Sequence, residues 1–380
     1  MINGDRIRQA REISGLTQTE LSEKVGVSQS AIAQLESGSN QLLFEPSEAT
    51  VDAIAFHTRF PKAFFYQDSA PEFPLGSLLY RHRSSLLKRE DKYRFHQLGR
   101  LAYELADKMA AKGVRTPDVD IPKVIGEPPS VAAHITRAKL GLSPDTPAKN
   151  LLNRLEKIGV FIFTLPDEIG ELDSYSVWAD TEPRRPVIVL CGAKSGDRQR
   201  YNLAHELGHL VMHHSFPDGL KNVEREANIF AAALLLPKEA MMREIVSPVT
   251  LTSLAAMKPR WGVSIAALIE RTTALEIITD RQARYLRKQI RDQKWDKQEP
   301  ENLYIKPEKP RGLKRMAEVL HGIPVNARAV AAYNNSRVSL VNEILSAHAD
   351  KPSPSKQERV PAKQSENVIQ FRKKTVPVTK

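Results

Sequence analysis

An apolar segment in the middle of this chain contains two histidines and a glutamate. The segment reads NLAHELGHLVM, and its mostly apolar positions predict a buried helix. Burying unpaired polar groups costs free energy, so such a helix needs partners for His205, Glu206 and His209. Residues four apart lie on one side of a helix, so His205 and His209 point the same way. That is the arrangement that two ligands of one zinc ion require.

A carboxylate beside the two histidines and another farther along the chain could complete the site. Glu206 is placed to take a proton from a water molecule, as in H-E-x-x-H metallopeptidases. A second acidic helix, VEREANIFAAALLLP, follows. We expect Glu226, 17 residues beyond His209 and just before the apolar run, to be the third ligand. Glu224 is its competitor, and we expect it to point elsewhere, towards solvent.

Other polar residues near the motif are expected to have supporting roles. Asn228 is placed to hydrogen-bond behind a ligand. His213 is expected to be a surface or outer histidine near the end of the helix, and His214 to be exposed. Tyr175 and Tyr201 are candidates for stabilising an oxyanion, although a core or rim aromatic is the commoner role of such residues.

The N-terminal stretch TQTELSEKVGVSQSAIAQLESG has the pattern of a helix-turn-helix. Thr17 and Glu20 predict a capping box at the first helix, and Gly26 supplies the conformational freedom of a tight turn. Ser28 caps the second helix and Gly38 ends it. In such a unit the second helix lies in the major groove of DNA.

The outward face of that second helix carries short polar side chains that suit a DNA groove. Glutamine can bind adenine through two hydrogen bonds, and serine can contact a phosphate or a base edge. A plain helical hairpin with a solvated face is the alternative, but the spacing and both caps favour double-stranded DNA as a partner. Such proteins usually bind as homodimers on paired half-sites. The predicted contact residues are Thr17, Gln18, Ser28, Gln29, Ser30, Ala33 and Gln34.

The net charge of +11 favours an anionic partner, but the charge is unevenly placed. Residues 1–45 hold four basic and six acidic residues, so the recognition helix lacks the cations that usually contact phosphate. Residues 281–315 hold twelve basic and five acidic residues, and residues 351–380 hold eight and two. We hypothesise that these segments, with Arg81 and Arg83, add phosphate contacts. A solubilising tail is the alternative.

Length and patterning predict several domains. The 380 residues suffice for two or three domains, and 41% hydrophobic with 27% charged residues is typical of soluble globular proteins. Short β-branched runs near 160–163, 174–178 and 186–190 predict strands of an α+β domain. The predicted organisation is an all-α helix-turn-helix domain at 1–66, a linker with a helix at 67–129, an α+β zinc metallopeptidase domain at 130–275, a basic helical region at 276–350 and a disordered basic tail at 351–380.

The chain shows no sign of export or membrane insertion at the sequence level. Cys191 is the single cysteine, so it cannot form an intramolecular disulfide. The N-terminus has no apolar core of a secretory signal, and the apolar runs are too short or too polar to cross a bilayer. We therefore expect a cytoplasmic protein with no membrane partner.

Two segments resemble known families. About the first 66 residues resemble the Cro/C1-type (XRE family) helix-turn-helix proteins. Residues 150–275 resemble the ImmA/IrrE family of gluzincin-like metallopeptidases, through GDRQRYNLAHELGHLVMH, EREANIFAAALLLP and the strands SYSVW and PVIVL. The residues that carry the first resemblance are Thr17, Gln18, Leu21, Ser28, Ser30, Ile32, Leu35, Glu36 and Gly38.

The second resemblance implies a zincin-like endopeptidase that cuts a repressor or another regulatory protein. It implies that His205, His209 and Glu226 bind Zn²⁺ and that Glu206 is the general base. The expected function is a transcriptional regulator with a zinc endopeptidase domain. A regulator whose metallopeptidase-like domain serves only as a sensor or dimerisation module is the alternative. A purely structural zinc ranks last, because structural sites usually have four protein ligands.

Overall fold

The computed structural model begins with the bundle of short helices that the N-terminal pattern predicts. It describes residues 1–37, 45–74, 88–165, 172–192, 194–213, 220–296 and 299–348. The N-terminal helices are α1 Gly4–Ile13, α2 Gln18–Val25, α3 Gln29–Glu36 and α4 Glu48–Thr58, and a 3-10 turn follows at Lys62–Tyr66.

The local signals of the helix-turn-helix are confirmed. The Thr17 hydroxyl accepts from Glu20 N at 3.1 Å, and the Glu20 carboxylate accepts from Thr17 N at 2.8 Å. Gly26 adopts a left-handed conformation with φ 76°, and the Ser28 hydroxyl accepts from Ala31 N at 3.1 Å. The predicted stop at Gly38 lies outside the described residues.

A small mixed sheet forms the centre of the fold. Its strands, which lie where the β-branched runs predict them, are β1 Phe161–Leu165, β2 Ser174–Ala179 and β3 Arg185–Cys191. The order is β1-β3-β2, with β1 parallel and β2 antiparallel to β3. Strand β2 is therefore paired on one side only within the sheet.

Helices precede and follow this sheet along the chain. Before it come α5 Arg89–Ala111, α6 Pro129–Lys139 and α7 Leu151–Lys157. After it come α8 Gly196–Met212, α9 Leu220–Leu235, α10 Lys238–Glu244, α11 Leu251–Trp261, α12 Ile265–Ala274, α13 Asp280–Asp292, α14 Gly312–His321, α15 Ala327–Tyr333 and α16 Val338–Ala347. Among the described helices, none is both long and apolar enough to cross a bilayer.

The two faces of the sheet bury different cores. Alternate residues of β3 point to opposite faces, so Val187 and Val189 join one core while Ile188 and Leu190 join the other. The first core contains α1 to α5 and α14 to α16, and the second contains α6 to α13. The described residues between 1 and 348 form one compact unit, and the domain boundaries drawn from the sequence stay predictions.

Buried and partly buried polar contacts fasten the N-terminal helices to α5. The Arg6 guanidinium, 2% exposed, donates two 2.7 Å hydrogen bonds to the Glu104 carboxylate. Arg100 donates to both carboxylate oxygens of Asp5, at 3.0 and 2.9 Å. Removing one partner of a buried ion pair is strongly destabilising, so these pairs specify how α1 docks on α5.

The other side of α5 lies against the sheet at a glycine. A Cβ atom on Gly99 would lie 2.1 Å from the Tyr175 hydroxyl and 2.8 Å from Val189 Cγ2. Tyr175 is fully buried there and donates to His96 O at 3.1 Å. It belongs to the first core, as its commoner role as a core aromatic suggested.

We predict that Gly99→Ala destabilises the protein even though alanine favours helix by about 1 kcal/mol over glycine. The added methyl group overpacks a rigid interface, which costs about 1–3 kcal/mol or more. Urea denaturation measures the change in the free energy of unfolding. The double variant Gly99→Ala/Tyr175→Phe is the control, because removal of the hydroxyl should recover part of the loss. A stability gain in Gly99→Ala alone would contradict this packing.

Candidate metal centre and DNA-reading surface

Helix α8 lies buried between the sheet and α9. A Cβ atom on Gly208 would lie 3.0 Å from Phe230 Cδ1, so this glycine of the motif lets α9 approach closely. Close approach matters because α9 supplies the polar side chains that face the two histidines.

Three ligand atoms converge between α8 and α9. His205 Nε2 and His209 Nε2 lie 3.1 Å apart. Glu224 Oε2 lies 3.5 Å from His205 Nε2, and Glu224 Oε1 lies 3.2 Å from His209 Nε2. The ligand atoms of these three residues all lie within 4.8 Å of one another. The i, i+4 spacing therefore brings the two histidines together as the sequence predicts.

The carboxylate in this cluster is Glu224, which corrects the expectation for Glu226. Residues two apart point to nearly opposite sides of a helix, so only one of the two can face His205 and His209. The buried stripe of α9 runs between them, and Glu224 flanks it on the same edge as Asn228. Glu226 flanks the other edge, where its side chain is 39% exposed and contacts His213.

The electrostatics of the cluster suit a cation. Burial lowers the pKa of His209, which favours the neutral imidazole that metal ligation needs. Burial alone would raise the pKa of Glu224, but its hydrogen bonds and charge interactions with His205 and His209 lower it far below its usual range. Two imidazole nitrogens and an ionised carboxylate around one point are the donor set of a catalytic zinc site, so the residues present fit such an ion.

Asn228 holds the outer nitrogen of His205, as expected from the sequence. Its Oδ1 lies 3.2 Å from His205 Nδ1 and accepts from the Tyr201 hydroxyl at 3.0 Å. Its Nδ2 donates to the Glu224 carbonyl at 2.8 Å. Tyr201 thus lies beside the cluster, joined to it through Asn228.

A third histidine, His213, and a carboxylate lie behind His209. His213 Nδ1 is 3.2 Å from His209 Nδ1, and His213 Nε2 is 2.9 Å from Glu226 Oε2. His213 is buried, with 7% exposed, so it is an outer partner of the cluster and not a surface residue. His214 lies outside the described residues.

Glu206 is fully buried against β2. Its Oε1 accepts from the Ser174 hydroxyl and its Oε2 from the Ser176 hydroxyl, each at 2.8 Å. These serines do not stand out in the sequence, because alternating small polar residues in a strand usually face solvent. Here the alternation points them at α8, and they orient the carboxylate of the motif.

A polar network crosses the helix-turn-helix. Arg11 donates to Glu36 at 2.9 Å, Gln18 donates to the same carboxylate at 2.8 Å, and Gln29 donates to Gln18 Oε1 at 2.8 Å. The network joins α1, α2 and α3, so it fixes the side chain at the start of α3.

The surface of α3 is open to a ligand. Gln29, Ser30 and Gln34 are exposed, while Ala33 and Gln18 are half-buried. Of the remaining predicted contact residues, Thr17 and Ser28 cap α2 and α3, as described above. Their roles in contacting DNA stay predictions.

The basic segments divide between the described and the undescribed parts of the chain. Arg81, Arg83 and residues 351–380 lie outside the described residues. Helix α13 exposes Arg281 and Arg284 but packs on α11 and α12, in the core opposite the one that the N-terminal helices join. The hypothesis that these segments contact phosphate stays a prediction.

Two other arginines lie next to the reading surface. An open cleft of about 600 Å³ separates the start of α2 from the first turns of α5. Arg8, Gln18 and Gln29 lie on one side of this cleft, and Arg89 and Tyr93 lie on the other. Both arginines are exposed, which makes α5 a neighbour of the surface that would approach a DNA backbone.

Comparison with known proteins agrees with this geometry. Residues 7–55 match a family model described as helix-turn-helix. Residues 155–273 match the Peptidase_M78 model, described as the IrrE N-terminal-like domain, and this range contains the whole candidate metal cluster. A search of curated proteins found no match. The chain therefore carries a helix-turn-helix domain followed by an IrrE N-terminal-like peptidase-family domain, in the order that the sequence predicts.

Proposed function

We propose that this protein is a DNA-binding regulator that also acts as a zinc-dependent endopeptidase on another regulatory protein, such as a repressor. The observation that carries the proposal is the convergence of His205 and His209 of α8 with Glu224 of α9, with Glu206 adjacent to His205 in the sequence of the buried helix α8. Three protein ligands leave one coordination position open, as catalytic zinc sites do and closed structural sites do not. The match of residues 155–273 to a peptidase family supports the same reading.

Different residues of the site would bind the metal and transfer the proton during peptide hydrolysis. A bound Zn²⁺ would polarise the peptide carbonyl and make water more acidic. His205, His209 and Glu224 would hold the ion. Glu206 would accept a proton at its carboxylate and return it to the leaving amine, and its hydrogen bonds from β2 keep that carboxylate oriented.

We predict one Zn²⁺ per chain in protein purified without chelator. His205→Ala, His209→Ala and Glu224→Ala should each lose the ion, because each removes one of three ligands. Arg225→Ala, at an exposed position of the same helix, is the control and should keep the ion. Elemental analysis by mass spectrometry gives the content. Loss in Glu226→Ala with retention in Glu224→Ala would restore the assignment made from the sequence.

We predict that Glu206→Gln keeps the metal and loses about 10²–10⁴-fold in peptide cleavage, because it removes the proton acceptor only. The substrate is a library of peptides from a digested proteome, and mass spectrometry counts new N-termini against time. His205→Ala is the control that loses both metal and cleavage. Equal cleavage by the wild type and Glu206→Gln would contradict the role of Glu206.

The alternative of a non-catalytic module is favoured by one observation. Both Glu206 oxygens already accept from serine hydroxyls, and the side chain is fully buried. A carboxylate that only completes the packing of α8 against β2 would look the same. In that case the wild type binds the ion but cleaves no peptide above the level of His205→Ala, so the same library separates the two functions.

For the N-terminal domain we propose sequence-specific binding of double-stranded DNA, with two chains on paired half-sites. The exposed face of α3 and the match of residues 7–55 support this proposal. The network from Arg11 to Gln29 would present the glutamine amide in one orientation, which favours contact with a particular base.

We predict that Gln29→Ala and Gln34→Ala each weaken specific binding by about 1–3 kcal/mol and relax the preferred sequence. Duplexes selected from a random library by the wild type supply the probe, and gel shifts at fixed salt measure affinity. Arg284→Ala on α13 is the control, and it should leave the preferred sequence unchanged. Unaltered affinity and selectivity in both glutamine variants would indicate a protein-binding hairpin.

A further inference from the structure

The outer nitrogens of the two histidine ligands are held by different groups. For His205 the partner is Asn228 Oδ1, at 3.2 Å. An amide oxygen only accepts, so His205 donates from Nδ1 and its Nε2 lone pair faces the cluster. The Tyr201 hydroxyl and the Glu224 carbonyl fix the orientation of this amide.

For His209 the partner is another imidazole, which can either donate or accept. The ambiguity is removed by Glu226, because a carboxylate accepts only and lies 2.9 Å from His213 Nε2. When His213 is neutral, it therefore carries its proton on Nε2 and accepts at Nδ1, which lies 3.2 Å from His209 Nδ1. His209 then donates from Nδ1, and its Nε2 also faces the cluster with a lone pair.

We infer that His213, oriented by Glu226, is a positioning residue that fixes the ring and tautomer of His209 and thereby strengthens metal binding. The inference rests on the proposed function, in which the cluster holds an ion. Histidine ligands need such partners on their second nitrogen, and loss of the partner typically weakens metal binding about 10- to 100-fold. Glu226 thus contributes to the site through His213 and not as a ligand.

Substitutions can distinguish a positioning role of His213 from a packing role, because its side chain is buried. A phenylalanine would fill the same space without an acceptor. An asparagine would place its Oδ1 where Nδ1 stands, and Asn228 already serves His205 in this way. If His213 only fills space, His213→Phe should affect metal binding less than His213→Asn. If His213 positions His209, His213→Asn should affect metal binding less than His213→Phe.

The experiment is a titration of full-length, metal-free protein with Zn²⁺ in competition with a chromogenic chelator. His213→Phe should weaken binding about 10- to 100-fold, and His213→Asn should retain most of the affinity. Glu226→Leu should weaken binding in the wild type, because it removes the acceptor of the His213 Nε2 proton, but it should have no further effect in His213→Asn. Thermal unfolding of the metal-free forms checks that each variant folds.

The outcomes separate the inference from the proposed function. Equal affinity in the wild type and His213→Phe would overturn the positioning role. Equal loss in His213→Phe and His213→Asn would also overturn it, since the acceptor would then be irrelevant. If the wild type binds Zn²⁺ no better than His205→Ala, the metal site itself is wrong, and the proposed function fails with it.

Discussion

Helix α8 buries two histidines and a glutamate between the sheet and α9. The helix is covered on both sides, yet it carries His205, Glu206 and His209, and each buried polar group needs a partner to offset the loss of water. The surrounding elements supply those partners. Helix α9 brings Glu224 and Asn228, while β2 brings two serines. If α9 or β2 had no polar atoms facing α8, a charge would stay unpaired in the core. The polar side chains that allow α8 to be buried are therefore the same ones that form the candidate site.

Strand β2 contacts both α8 and α5, and α5 in turn holds the helix-turn-helix domain. Its residues alternate, so Ser174 and Ser176 face α8 while Tyr175 between them faces α5. Helix α5 accommodates that tyrosine at Gly99 and, on its other side, holds α1 through Glu104. A short chain of fully packed contacts therefore joins the helix-turn-helix to the metal cluster.

Local signals in the sequence predicted much of this, because they depend on neighbours only a few residues away. The caps of α2 and α3, the three strands and the pairing of His205 with His209 follow from such spacing. The identity of the third ligand did not follow from spacing, because the choice between Glu224 and Glu226 depends on how α9 is rotated about its axis. Asn228 held the missing information. It lies four residues after Glu224 on the same side of the helix, so assigning it a place behind a ligand already implied that Glu224 faces the histidines.

The serines of β2 and the network of the helix-turn-helix were beyond the reach of sequence for a different reason. Both are long-range pairings: Ser174 and Glu206 are 32 positions apart in the sequence, and Arg11 and Glu36 are 25 positions apart. In each pairing, a polar residue that belongs to no motif orients a residue of a candidate site. Arg11 neutralises Glu36, which allows Gln18 to reach that carboxylate and turn its own oxygen to Gln29. Of the three arginines of α1, Arg11 is occupied by Glu36 and Arg6 by Glu104, so the exposed Arg8 is the one of them that can contact a phosphate.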